Sequence, residues 1–425
     1  MNSKQNSKIN QVTENTLVIG IDIAKKTHYA CMTDERGVQL KKSFPVKQSR
    51  EGFDLFYQLI LDSMQLYNKT DVIVGVEPTG HYWLNLAYFL DDLGIPLVVC
   101  NPMHVNRSKE LDDNLPTKTD AKDALVIARL VKDGRYSYPR ILKNVEAELR
   151  IGTSLRGNLV EEMTAIRNKV IRWLDRYFPE FTKVFPTFGK MALTALLKTP
   201  FPSDVKDMEV EDLVMLYREV EDMKSPHRPK IQKLILFAQS SIGVTEGLVM
   251  ARVEIATLVQ RYCQIEKELS VLHEQLKEFA QTIAEFQWLE TVPGIGDTTI
   301  IEILSEIGSF THYQHPRQLI KLAGLTLREN SSGQHKGQKR ISKRGRRHLR
   351  AVLFRVMIPM VQHNDAFRQL HEYYTTRAVN PLRKKQSLVV LCGKLLKILH
   401  AICTKQLAFN ANQMIQTIPK LERAV

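Results

Sequence analysis

Four acidic residues have the types and spacing to do chemistry together. Asp22 lies inside the apolar run Leu17–Ile23, flanked by Ile21 and Ile23. A charge in such a run is costly unless it is paired or holds a cation; a strand-end or surface-facing aspartate is the ordinary explanation. Glu77 closes a second apolar run, Asp71–Glu77, just before Pro78 and Gly80. In open α/β sheets, sites gather at such strand ends. Asp120 and Asp123 stand three apart in Thr119-Asp120-Ala121-Lys122-Asp123-Ala124, so on a helix they share a face. Their repulsion is eased either by the first turn of a helix, which favours acids, or by a divalent metal. Oxygen-rich clusters suit Mg²⁺ or Mn²⁺, which hold phosphate oxygens and activate a nucleophile.

A second set of residues is basic. Lys336–Arg350, KGQKRISKRGRRHLR, holds Lys336, Lys339, Arg340, Lys343, Arg344, Arg346, Arg347 and Arg350 and no acid. A solvated charged face explains such a run; so does contact with phosphates, giving salt-sensitive and largely sequence-independent affinity. Asn330-Ser331-Ser332-Gly333 comes just before it. Serines before glycine commonly form turns, yet a hydroxyl beside dense positive charge could be delivered to phosphorus. Pro293-Gly294-Ile295-Gly296 leads into an apolar helix. It reads as a plain helix–helix turn, or as a hairpin whose Gly294 and Gly296 backbone offers N–H groups to DNA phosphates.

The bulk charge weights these options. The 425 residues carry a formal net charge of +14, which points to a polyanionic partner. Residues 1–135 are neutral overall, whereas residues 310–425 hold 22 Lys and Arg against 4 Asp and Glu. Phosphate binding is therefore expected in the last quarter and carboxylate chemistry in the first. Cys31, Cys100, Cys263, Cys392 and Cys403 form no CxxC pair, which argues against a zinc site or a disulfide framework. The polar start lacks a signal-peptide core, and Lys394 and Lys397 interrupt the apolar stretch Ser387–Cys403, so no membrane partner is expected. The chain reads as cytosolic.

The elements that must position these residues follow from hydrophobic period. Leu17–Ile23, His28–Met32 and Val38–Val46 read as an opening β-meander. Helix 51–66, strand Asp71–Glu77, helix 81–93, strand Pro96–Cys100 and helix 120–132 follow. That alternation implies an α/β layer with its late strands in parallel crossover units. From about 145 to 285 the pattern is helical. Ile255, Leu258, Tyr262, Ile265, Leu269, Leu272 and Leu276 form a heptad seam, suited to a long helix or coiled coil. Residues 196–230, with four prolines, read as a connection or small helical insert between two long helices. The expected class is α/β plus α.

VIGIDIAKKTHYA, VGVEPTGHYW and KTDAKDALVIARL resemble the DEDD-type insertion-sequence transposases. WLETVPGIGDTTIIEILSEIG, KLAGL and SSGQHKGQKRISKRGRRHLR resemble the C-terminal transposase domain of the same family. The resemblance covers roughly residues 16–135 and 286–375, in the right order, and the helical middle fits. It implies a RuvC-like, ribonuclease-H-like domain whose Asp22, Glu77, Asp120 and Asp123 bind Mg²⁺ or Mn²⁺. It implies a serine nucleophile that forms a transient phosphoserine link to DNA, with Ser332 matching best and Ser331 as the fallback. It also implies a noncoding guide RNA that pairs with donor and target DNA, and a homo-oligomer, dimer or tetramer. In that oligomer the RuvC-like domain of one subunit meets the serine domain of another. The expected layout is a disordered leader at 1–15, a DEDD catalytic domain at 16–140 and a helical or coiled-coil scaffold at 141–285. The transposase domain then takes 286–375 and a helical tail 376–425. A RuvC-like junction nuclease and a pilin-type DNA invertase share these motifs. A non-enzymatic nucleic-acid scaffold would make the acids structural.

Overall fold

The apolar runs of the N-terminal third build one sheet. The computed structural model describes residues 3–112, 120–220, 223, 225–328, 331–332, 335–336 and 340–415. The chain divides into two units, Met1–Leu142 and Lys143–Val425.

In the first unit, helix α1 (Ser3–Ile9) precedes the meander of β1 (Thr16–Asp22), β2 (Thr27–Thr33) and β3 (Gln39–Lys47). Helix α2 (Arg50–Leu66) starts where the Ser49 hydroxyl accepts from the Gly52 amide, and returns the chain to β4 (Asp71–Val76). Then come α3 (Leu84–Asp92), β5 (Leu97–Cys100), α4 (Pro102–Asp112), α5 (Asp120–Lys132) and β6 (Tyr136–Ser137). The sheet order is β3-β2-β1-β4-β5-β6. Strands β1, β2 and β3 pair antiparallel, β1–β4–β5 parallel, and β6 antiparallel to β5. An antiparallel meander followed by parallel crossovers is the layer the apolar pattern implies.

The leader departs from expectation. Residues 3–9 are helical rather than disordered. The Gln5 amide donates to the Asp133 carbonyl (3.0 Å), Lys8 donates to the Tyr136 carbonyl, and Tyr136 and Tyr138 hydroxyls donate to Gln11. Val12 packs onto the core under α5. Side-chain bonds to the α5–β6 turn hold this polar segment, and local composition does not show them.

The second unit opens with the 34-residue helix α6 (Asn144–Tyr177). Helices α7 (Phe181–Val184), α8 (Lys190–Lys198), α9 (Pro202–Val205), α10 (Val210–Arg218) and α11 (Arg228–Gln239) follow, then the equally long α12 (Leu248–Gln281). Trp173 of α6 donates to the Ala251 carbonyl, and Gly152 lies against Leu276. The two long helices therefore run antiparallel. Every position of the heptad seam is buried or partly buried. The short helices close a core around Trp173, Phe181, Phe201 and Tyr217.

The remaining elements are α13 (Glu285–Glu290), α14 (Asp297–Ile307), α15 (Pro316–Leu322), β7 (Leu327–Arg328), β8 (Ser331–Ser332), β9 (His335–Lys336) and β10 (Arg340–Ile341). Helices α16 (Arg347–His363), α17 (Asp365–Thr376), α18 (Lys384–Lys405) and α19 (Ala411–Ile415) end the described chain. Up to Ile415 the expected tail packs with what precedes it: Leu391, Leu395 and Leu399 of α18 are buried in one core with Ile300, Leu304, Leu353 and Phe367. By length and composition α18 is apolar enough to cross a membrane, yet half of its apolar window is buried in this core.

Candidate active site

Side-chain alternation decides what the sheet does with the acids. Leu17, Ile19 and Ile21 face one core with Val74 and Val76; Val18 faces the other, with Val98, Cys100 and the apolar residues of α5. Asp22 shares the parity of Val18 and Gly20, so it belongs to the α5 side. Ile21 is paired with Val76 on β4 and Val76 with Val99 on β5. One step further along the three parallel strands, Asp22, Glu77 and Cys100 stand side by side at their C-terminal ends. Burial and the nearby Glu77 charge push the Cys100 thiol up to about 12, consistent with Glu77 reaching the same side. Asp22 and Glu77 are half-buried and both have polar partners.

Helix α5 brings the other two acids. A Cβ on Gly20 would lie 2.1 Å from the Ala124 carbonyl oxygen and 2.4 Å from the Ala128 nitrogen; the missing side chain lets the helix press onto β1. Arg129 and Lys132 approach Gly37 in the β2–β3 turn, so α5 runs antiparallel to β1. Asp120 starts α5 about 6 Å before Ala124 along the axis, and Asp22 lies about 7 Å beyond Gly20 along the strand. The N-terminal turn of α5 thus overlies the strand ends that carry Asp22 and Glu77. Asp120 is described in backbone only. Asp123 is buried, and Lys109 of α4 sits 2.6 Å from its carboxylate.

Carboxylate oxygens at this edge fit Mg²⁺ or Mn²⁺ better than softer metals. Among the described residues no three His, Cys, Asp or Glu side chains converge closely enough to enclose an ion. The histidines near the acids in sequence stand elsewhere. His28 is buried on the opposite face against Phe53, where its Nδ1 accepts from the Ala24 amide and burial holds its pKa down. His81 is exposed beside Tyr82.

In the second unit the serine motif sits on a hairpin. Leu327–Arg328 pairs with Arg340–Ile341, and inside that ladder Ser331 pairs with Lys336 and Ser332 with His335. Ser332 therefore occupies the last described pair before residues 333–334, and its side chain lies outside the described atoms. The ladder continues outward: Ser342 donates to the Thr326 carbonyl, Lys343 to Gly324 and Arg346 to Leu322. Gly345, at φ +151°, comes so close that a Cβ would meet the Leu322 oxygen at 2.4 Å.

The basic residues divide by task. Arg340, Lys343, Arg344 and Arg347 are exposed. Arg346 donates to the Glu306 carbonyl, and Arg350 donates to the carbonyls of Ala323 (2.8 Å) and Lys343 (3.4 Å). These two arginines, expected on phosphates, hold the hairpin base. Lys336 is described in backbone only, and Lys339 lies outside the described residues. Gly294 and Gly296 are exposed in the α13–α14 turn; Gly294 lies over Met360, and Gly296 caps α14. Asp297, the first residue of α14, pairs with Lys277.

Comparison with known proteins bears on both units. A DEDD-type family model described as Transposase matches residues 19–179, and one described as Transposase IS116/IS110/IS902 family matches residues 287–372. The chain belongs to this transposase family. It is 21% identical to the transposase for insertion sequence element IS1111A of Coxiella burnetii, covering 92% of this chain and 90% of that protein. It is 22% identical to an uncharacterized 43.6 kDa protein of insertion element IS110 from Streptomyces coelicolor, covering 90% and 93%. It is 23% identical to a pilin gene-inverting protein of Moraxella bovis, covering 92% and 97%. Within this family chain, motif reading passes over Lys109, Cys100 and His335. Only the sheet register and the helix packing place them beside the predicted residues.

Proposed function

We propose that the chain is a transposase that breaks and rejoins DNA in the bacterial cytosol. Asp22, Glu77, Asp120 and Asp123 are the acids of a Mg²⁺ or Mn²⁺ centre, and Ser332 is the nucleophile. One observation carries this reading: Asp22 and Glu77 end adjacent parallel strands directly under the N-terminal turn of α5. When bound, the metal supplies Lewis-acid polarisation of a phosphodiester oxygen. The Ser332 hydroxyl oxygen attacks phosphorus; an Oγ–P bond forms, one backbone P–O bond breaks, and the departing DNA hydroxyl takes up a proton. Attack by a hydroxyl of another strand reverses the step, rejoins DNA and frees the serine. Arg340, Lys343, Arg344 and Arg347 hold donor and target phosphates, and a noncoding RNA chooses sequence by pairing. The active form is a homo-oligomer.

The match to pilin gene-inverting proteins favours a second reading, site-specific inversion by the same chemistry in another DNA context. A RuvC-like junction nuclease differs more, because water attacks and no serine is needed. A trapping assay separates them. Purified protein, Mg²⁺, RNA from the flanking DNA and a labelled donor–target pair should give a protein–DNA adduct on a denaturing gel. The adduct should vanish in Ser332→Ala and in Asp22→Ala. Cleavage without adduct that persists in Ser332→Ala would leave a plain nuclease.

A further inference from the structure

Helix α14 carries two acids inside an otherwise apolar segment. Glu302 and Glu306 are one turn apart and both buried, at 3% and 5% exposure. Neither belongs to the predicted metal site, and each is gripped from two directions. Glu302 receives Arg156 of α6 at 3.0 Å and Arg355 of α16. Glu306 receives Arg150 of α6 at 2.5 Å, the His348 ring at 3.4 Å and Arg346 at 3.5 Å. Arg346 meets the Glu306 Oε2 as an ion pair only, that oxygen accepting no hydrogen bond among the described residues; the hydrogen bond of Arg346, like a second one from Arg150, goes to the backbone carbonyl of Glu306.

Burial pushes the Glu306 carboxyl up, but His348, Arg150 and Arg346 outweigh it and hold the group below its ordinary value. A buried carboxylate in that state fixes whatever donates to it, since losing one partner strands a charge. Arg346 is the residue whose amide closes the ladder of the serine hairpin on Leu322, next to the close packing of Gly345. Glu306 thus joins the scaffold helix α6 on one side to the base of the hairpin on the other.

We infer that Glu306 is the positioning residue of the serine hairpin, setting through Arg346 where the tip with Ser332 is presented. The inference rests on Ser332 being the nucleophile. Electrostatics alone predicts no loss of adduct rate, whereas a positioning role predicts one. Glu306→Gln makes the basic unit one charge more positive, so unguided DNA affinity should hold or rise. Misplacing a nucleophile by about 1 Å costs up to about a hundredfold in rate.

The test uses the full chain with its RNA and a labelled DNA pair, measuring adduct rate and DNA affinity separately. Glu306→Gln is expected to keep DNA affinity and lose about tenfold or more in adduct rate. Arg346→Met, on a partly exposed side chain that leaves the core intact, should lose as much. The double variant should be no worse than either, because coupled residues are non-additive. Glu306→Asp should recover part of the rate. A full adduct rate in either single variant, or losses that multiply in the double, overturns the inference. If Glu306→Gln fails to fold, Arg346→Met decides alone. If the parent forms no adduct, the serine reading has failed instead. Amide exchange across residues 324–346 then tests the clamp: faster in Arg346→Met supports it, unchanged exchange overturns it.

Discussion

Lys109 Nζ lies 2.6 Å from the carboxylate of Asp123, which is almost wholly enclosed at the first turn of α5. The ammonium balances a charge that burial would otherwise penalise. Replacing it by a neutral chain in Lys109→Met should cost about 1–3 kcal/mol, as for a buried group left unsatisfied. MgCl₂ alone should then raise the melting temperature of the variant more than that of the parent, because a cation no longer competes with the lysine for Asp123. Equal shifts in the two proteins would show that lysine and metal do not share this carboxylate.

Asp22→Asn and Glu77→Gln should behave differently from Lys109→Met. Both positions are half-buried at the edge of the sheet, so the fold should survive. Mg²⁺-dependent strand cleavage should drop by about a hundredfold or more, the rate equivalent of several kcal/mol of lost charge stabilisation. DNA binding should persist, since the cationic unit is untouched. A variant that cleaves at the parent rate would remove its residue from the site.

The division among the arginines is open to a salt titration. Arg344→Gln and Arg347→Gln change exposed side chains and should each lower the slope of log affinity against log salt by about 0.9, for any DNA sequence. Arg350→Met removes donors to the Ala323 and Lys343 carbonyls. It should lower stability in urea by about 1–3 kcal/mol. If Arg350→Met shifts only the salt slope, Arg350 is a phosphate contact rather than a brace.

The Glu306–His348 pair gives a pH signature. Hydrogen bonding to Glu306, partly opposed by burial, raises the His348 pKa; Glu306 is lowered. A raised histidine contributes fully below its unfolded value of about 6.5, and that contribution is lost as pH climbs through the folded value. The lowered Glu306 contributes above the ordinary glutamate value and is lost as pH falls through its folded one. Stability of the C-terminal unit from this pair should therefore peak in mildly acid solution. In His348→Gln the decline on the alkaline side should flatten; an unchanged urea midpoint profile between pH 6 and 9 would exclude the pair as its source.

Much of the first unit was legible because the three parallel strands at its centre, β1, β4 and β5, are largely buried on both faces. They read as unbroken apolar runs, against which Asp22 stands out as the exception. β6 is two residues long, and α4 is polar with its described side chains mostly exposed, so neither leaves a periodic trace. The pairing of Lys109 with Asp123 is tertiary and has no local signal. In the basic segment, charge density told where cations cluster but not which ones turn inward to carbonyls, so Arg346 and Arg350 looked like their exposed neighbours. Glu302 and Glu306 did leave a mark. They are acids four apart in the apolar stretch IIEILSEIG, the same anomaly that singled out Asp22.

The contact of Gly20 with α5 makes the strictest demand on sequence. A methyl group there would sit 2.1 Å from the Ala124 oxygen, and the obstacle is backbone, which cannot swing aside as a side chain can. Helix α5 would have to lift from β1, carrying Asp120 and Asp123 away from the level of Asp22. Gly20→Ala should therefore cost at least about 2 kcal/mol, at the upper part of the range for overpacking, and should also reduce the thermal shift given by Mg²⁺. Gly296→Ala is the control, since a Cβ there meets nothing within 4 Å. If Gly20→Ala unfolds at the parent's urea midpoint, the helix has room to move and does not owe its place over the acids to this glycine.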